Sequence, residues 1–425
     1  MTWKPLISAI LAATCMQTAI AQDTYNPEVQ FVESLFQEAM QYREDGQIYN
    51  SIQLFETILK QQPDLNRARL ELAVAYHMSR RYEHAKEQLN QVLNDPQTPE
   101  TVKLSITAYL AQLASDIKAS SNRSTSSYYL STGLFTDSNI NLGPADRSLS
   151  QLTPDSFEQS GSGAQLALSF AHRSRGKDLL TIGESLIDFE WLSQATLYNK
   201  AYGSGDSDFN LGIISLNTGP ALFSKKAWRA ALNFKLDQVY FGNESFAKHL
   251  SINPVFTLNA TDNLEVSITN TITKREHENA ADEGLDGVMA SWDINVSQFY
   301  HRKQIGVQAG IKYHDNGARS NSLHFVGGEL YIGGQMPAWK DARAYLTLSG
   351  RDYRYQAPDG VESTVLKRDE TELMSILGVS HDFRSGPLKS WSLNGQYSYR
   401  DNDSNIDAFS YDRGIFELNL RRYFL

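Results

Sequence analysis

From about Ser124 to Leu425 apolar and polar residues alternate with a period of two, segment after segment. In Leu264-Glu265-Val266-Ser267-Ile268-Thr269 the apolar side chains fall at even positions, and Ile305 to Tyr313, Ala230 to Asp237 and Trp391 to Tyr399 repeat the pattern. Such a period puts alternate side chains on opposite faces of a sheet. A soluble sandwich would bury the apolar face; a transmembrane barrel turns it to lipid and keeps the polar face in its lumen. We count about fourteen segments, each reaching the roughly 9–11 residues that a tilted spanning strand needs.

Connection lengths separate these two folds. Long connections are expected at Ser138–Ser160, Ala195–Gly205, Glu276–Asp286 and Ala357–Glu370. Short ones fall between them, at Ser174–Lys177, Ser224–Ala227, Ala260–Asn263, Arg302–Gln304 and Pro337–Asp341. Short periplasmic turns alternating with longer extracellular loops mark an outer-membrane barrel. Two details resist it. Pro254 falls inside a strand, which calls for a bulge or a shorter strand, and the chain ends Tyr423-Phe424-Leu425 rather than on an aromatic residue.

Residues from about Pro27 to Ile117 carry a helical period instead. Ala39, Tyr42, Ser51, Phe55, Ile58 and Pro63 overlay Ala73, Tyr76, Ala85, Leu89, Val92 and, one residue out of register, Pro96. The offset of thirty-four residues (Ala39 to Ala73) is the tetratricopeptide spacing, and Thr98 to Ile117 reads as a capping helix or a degenerate third unit. The first helices of such pairs form a concave surface, expected to include Glu33, Phe36, Met40, Arg43, Arg67, Leu70, Val74, His77 and Met78 as a peptide-binding groove. The fold expected is thus α plus transmembrane β. A leader occupies 1–21, tetratricopeptide repeats 22–118, a polar linker 119–127, and an antiparallel outer-membrane barrel of about fourteen strands 128–425.

The leader has Lys4, a short apolar core from Leu6 to Ala13, and a small-x-small site at Ala19-Ile20-Ala21. Cys15 raises a rival lipoprotein-box reading, against which Thr14 is bulky for its position. The mature chain would hold no cysteine, and losing Lys4 takes the formal charge from −10 to −11 (−10 − 1). That balance argues against nucleic acid as a partner. The short turns are basic (Arg175, Lys177, Lys225, Lys226, Arg302, Lys303, Lys340), and several long loops read as acidic (Glu278, Asp282, Glu283, Asp359, Glu362, Asp401, Asp403).

Nothing in the motifs points to catalysis, a metal or a cofactor, and we expect no enzyme. The nine histidines are scattered, with no His-Glu-x-x-His spacing, Walker loop or Gly-x-Ser-x-Gly elbow. His314-Asp315-Asn316-Gly317, expected in a loop, is faintly similar to a segment of outer-membrane phospholipases, but the attacking serine is missing.

Gly133-Leu134-Phe135-Thr136-Asp137-Ser138-Asn139-Ile140-Asn141 is similar to the Gly-x-x-x-Asp-Ser-Asn-x-Asn segment that opens the barrel of the surface lipoprotein assembly modulators (Slam proteins). The leader, the short repeat domain and the barrel together resemble that family over essentially the whole mature chain. The resemblance implies a non-enzymatic outer-membrane translocator that delivers lipoproteins or related secreted proteins, such as haem- or metal-acquisition factors, to the surface or the medium. It implies clients with a small C-terminal barrel-like domain, leaves room for barrel-assembly machinery and periplasmic chaperones, and puts the helical domain in the periplasm. Asp137, Ser138, Asn139 and Asn141 then contact clients or, equally, hold a turn through Asx hydrogen bonds. A polysaccharide export porin with tetratricopeptide repeats and a passive diffusion porin remain as alternatives.

Overall fold

The computed structural model describes residues 27–424 apart from 122, 147, 148, 150–152, 177, 178, 183, 184, 204, 225, 226 and 361. The leader, with Cys15, and Lys177, Lys225, Lys226 and Leu425 lie outside the described residues. The chain divides into two compact units, 1–123 with 175–189, and 124–174 with 190–425.

The first unit is built on five helices: α1 (Pro27–Glu44), α2 (Ile48–Gln61), α3 (Asn66–Met78), α4 (Tyr82–Leu93) and α5 (Glu100–Ser121). In α2 the buried residues Ile48, Ser51, Ile52, Phe55 and Ile58 follow the three-and-four spacing of one helix face. Ala39, Ala68, Ala73, Ala75 and Ala85 are fully buried, so the helices approach closely without side-chain bulk between them. The two repeats turn in the same way: Gly46 (φ +85°) ends the first helix of one pair, and Arg80 (φ +59°), thirty-four residues on, ends that of the next. Glycine takes this left-handed backbone freely, whereas arginine is strained in it.

The expected linker at 119–127 is shared instead between the end of α5 and the start of β1 (Ser124–Asp137), because Ser and Thr serve a strand's alternation as readily as a linker's flexibility. The short turn expected at Ser174–Lys177 is likewise longer. After β2 (Gly161–Arg175) a three-residue strand β3 (Leu180–Ile182) pairs with the first residues of β4 (Ser185–Tyr202). This hairpin belongs to the helical unit, where Leu186 joins the helices' apolar cluster and Asp188 pairs with Arg80.

The second unit is an antiparallel barrel. β1, β2 and β4 are joined by β5 (Leu211–Ser224), β6 (Trp228–Phe241), β7 (Glu244–Asn259), β8 (Leu264–His277), β9 (Gly287–Tyr300) and β10 (Ile305–Asn316). The remaining strands are β11 (Phe325–Pro337), β12 (Ala342–Tyr355), β13 (Asp369–Asp382), β14 (Trp391–Ser404) and β15 (Tyr411–Phe424). Consecutive strands pair from β1 to β2 and from β4 to β15, β1 pairs β15 and β2 pairs β4, so fourteen strands close on themselves, with short β3 paired to the start of β4. Closure removes every unpaired edge, which a lipid environment requires. On β7, Leu250, Ile252, Phe256 and Leu258 stand outward and exposed, while Ser251 and Thr257 are buried on the inner face. Among the described residues no helix is long and apolar enough to cross a membrane.

Pro254 neither shortens β7 nor bulges it. The register to β8 is the same on either side, Ile252↔Ile272 and Val255↔Thr269, with the two rungs between missing. The Asn253 carboxamide donates to the Asn270 carbonyl at 2.9 Å, supplying a bond that proline has no N–H to make. The loop expected at Ala195–Gly205 is mostly strand, since β4 runs to Tyr202; its Leu197, Tyr198 and Lys200 keep the outward–inward alternation. Asp401 and Asp403 lie in β14 and His314 in β10, not in loops. Phe424, paired with Tyr128, is the aromatic residue that ends the last ladder.

Candidate functional site

Helices α1 and α3 carry every residue expected in the groove, but they use them differently. Phe36 is 2% exposed and packs edge-on against Phe55, with ring centroids 5.5 Å apart. The Arg67 guanidinium stands 4.0 Å over the Phe36 ring and reaches Glu33 at 3.5 Å. Arg43 is buried, paired with Glu71 and within 3.3 Å of the Met40 sulfur. Leu70 belongs to the apolar cluster, against which Met40, Val74 and Met78 are half-buried. Phe36, Arg43 and Leu70 are therefore core rather than groove surface: Phe36 and Leu70 belong to the apolar cluster and Arg43 is tied to Glu71 of α3.

His77 joins α3 to α5. Its Nδ1 lies 2.7 Å from the Tyr109 hydroxyl and its Nε2 2.9 Å from Asp116. Burial pushes the Tyr109 hydroxyl far up, with Asp116 and Glu71 adding to the effect and Arg43 opposing it, so the phenol keeps its proton. The two ring nitrogens of His77 thus bridge Tyr109 on one side and Asp116 on the other. The inner face is thus a set of satisfied polar links, with Glu33 and Arg67 its most exposed charged members.

In the barrel, the segment that ends β1 is a seam fastening. Arg413 donates twice to Asp137, at 2.9 and 2.5 Å, Tyr202 donates at 2.9 Å, and Lys200 stands 3.4 Å away. The Asp137 carboxylate has no solvent exposure. Asn139 donates to the carbonyls of Gly143 and Asp412 and accepts from the Gly143 amide. Asn141 donates to the Phe157 carbonyl and accepts from the Gln159 amide, while Ser138 accepts from Gly414. Gly133 fits because a Cβ there would run into the Asn419 carboxamide and the Leu418 carbonyl of β15. The motif's side chains are spent on closing the first loop and joining the first strand to the last.

Motif reasoning missed a row of charge along the inner wall. Asp293, Lys312, Glu329, Arg351 and Glu372 are direct cross-strand partners on β9 to β13, alternating in sign at every strand. Glu329 binds Lys312 at 3.4 Å, His314 at 3.4 Å and Arg351 at 3.0 Å; Glu372 takes Arg351 at 2.7 Å and Arg400 of β14 at 3.3 Å. A second row, Ser215, Asp237, His249 and Arg275, crosses β5 to β8. Opposite charges at adjacent strands stabilise the wall and leave it polar with little net field. Its sequence signal is a charged residue at an inward position of each strand from β9 to β13, legible once the register is known.

Residues 5–89 match the family described as surface lipoprotein assembly modifier, N-terminal TPR repeats. No curated protein matches the chain. Among solved structures, OprD of Pseudomonas aeruginosa is 9% identical, over 71% of this chain and 95% of that one, at a TM-score of 0.37. OmpT of Vibrio cholerae is 11% identical over 71% and 99%, at 0.36, and OpdQ of Pseudomonas aeruginosa 10% identical over 71% and 98%, at 0.33. At such scores these superpositions carry no argument. The membrane assignment rests on the closed barrel, its apolar outer face and the family match. The chain joins the tetratricopeptide repeats of the surface lipoprotein assembly modifier family to a fourteen-strand barrel in the outer membrane, the architecture of an outer-membrane translocator.

Proposed function

We propose that this protein carries specific lipoproteins, or related secreted proteins such as haem- or metal-acquisition factors, from the periplasm to the cell surface or medium. The observation that carries this reading is the family match of the helical unit, joined to a closed barrel whose inner wall alternates in charge. The helical unit works in the periplasm and holds an incompletely folded client; the barrel gives it a polar route. A wall of alternating sign lets a chain of mixed charge pass without a deep electrostatic trap, whereas export of an anionic polysaccharide calls for a cationic lumen. The protein acts without catalysis, and folding of the client outside draws transfer forward by mass action.

The test places the chain and a small exported lipoprotein encoded beside it in a Gram-negative host lacking both. Surface protease digestion of the client only when the full chain is present supports the reading. A client that stays protected in both strains overturns it for that client, and glycan export is tested next.

A further inference from the structure

The outer face of the barrel carries a groove of about 480 Å³ beside the seam, lined by Leu130, Leu168, Phe170, Leu197, Ile214 and Phe424 with the small Ala195 among them. These are outward side chains in regular alternation, so the groove opens to lipid. Arg422 adjoins it. Arg422 is the direct cross-strand partner of Leu130 on one side and of Trp391 on the other, and directly paired residues share a face. Its guanidinium lies 4.7 Å from the Phe424 ring centroid and 5.5 Å from that of Trp391, and its Nε is buried with no hydrogen-bond partner.

An arginine on a lipid-facing wall is costly at mid-membrane and nearly free at the interface. Trp391 opens β14 at the rim bearing the short turns, which sets Arg422 at headgroup depth. We propose that Arg422 and the groove form a phospholipid site, with the guanidinium on the headgroup phosphate and one acyl chain lying over Ala195. Planar guanidinium matches phosphate in two-point geometry. A second outward groove, of about 660 Å³ around Ala309, which Arg422 does not line, serves as the internal comparison.

The test uses the full-length protein in detergent, offered phosphatidylglycerol or a diacylglycerol with the same chains, with bound molecules counted by native mass spectrometry. The site predicts one retained phosphatidylglycerol, preferred over diacylglycerol by about tenfold or more, the scale of one charged hydrogen bond. Arg422→Gln abolishes the preference, Ala195→Phe abolishes retention, and Ala309→Phe changes neither. A preference that survives Arg422→Gln, or retention in Ala195→Phe equal to that in Ala309→Phe, overturns the assignment.

Discussion

Arg413 and Asp137 stand 276 residues apart in the chain and meet in a two-point ion pair across the seam where the last strand joins the first. Removing one partner leaves a buried charge alone, which costs about 3–5 kcal/mol. Asp137→Ala is expected to lower the unfolding midpoint of the barrel, read as the heat-induced shift of its electrophoretic mobility. Adding Arg413→Met should recover much of the loss. A double variant that loses the sum of the two single effects would show that the pair is not coupled.

Gly133 faces Asn419 and Leu418 across the same seam, with no room for a methyl group. Gly133→Ala forces the β1–β15 ladder apart and is expected to cost about 1–3 kcal/mol. The same heat-shift measurement tests it, and a midpoint equal to wild type would mean the seam is looser than drawn.

In the helical unit Gly46 and Arg80 hold equivalent left-handed positions. Gly46→Ala should destabilise the unit by about 1 kcal/mol, the penalty for a Cβ in that conformation. Arg80→Gly relieves the same strain but removes the pair with Asp188, so its net effect should be small. Thermal loss of the helical circular dichroism of the full chain distinguishes the two. Equal losses would refute the strain at Arg80.

The luminal row makes an electrical prediction. Glu329→Gln with Glu372→Gln removes two negative charges and takes from Arg351 and Arg400 the carboxylates they pair with. Reversal potentials in planar bilayers under a salt gradient should move toward anion selectivity, while the outward pair Leu250→Ile and Ile252→Leu should leave them unchanged. No shift would mean that ions do not pass along this wall.

The alternation of outward Leu250 and Ile252 with inward Ser251 made the barrel legible in the sequence, and the thirty-four-residue repeat did the same for the helices. Long-range partners were not legible. The motif at Asp137 reads locally as a turn, and nothing near it announces Arg413. Phe36, Arg43 and Leu70 fall on α1 and α3, as a groove requires, yet Phe36 and Leu70 are spent on the apolar cluster and Arg43 on Glu71. The hairpin at 175–189 was hidden because Leu180-Thr181-Ile182 and Leu186-Ile187 read as one continuing strand.

The central claim is that a client passes along the inner wall, and the most direct test is site-specific photo-crosslinking during export. A photoreactive phenylalanine replaces inward Lys312 in one strain and outward Tyr313 in another, with the neighbouring lipoprotein as client. The account predicts client adducts from position 312 and none from 313. Surface delivery of the client with no adduct at 312, or equal adducts at both, would contradict passage through the lumen.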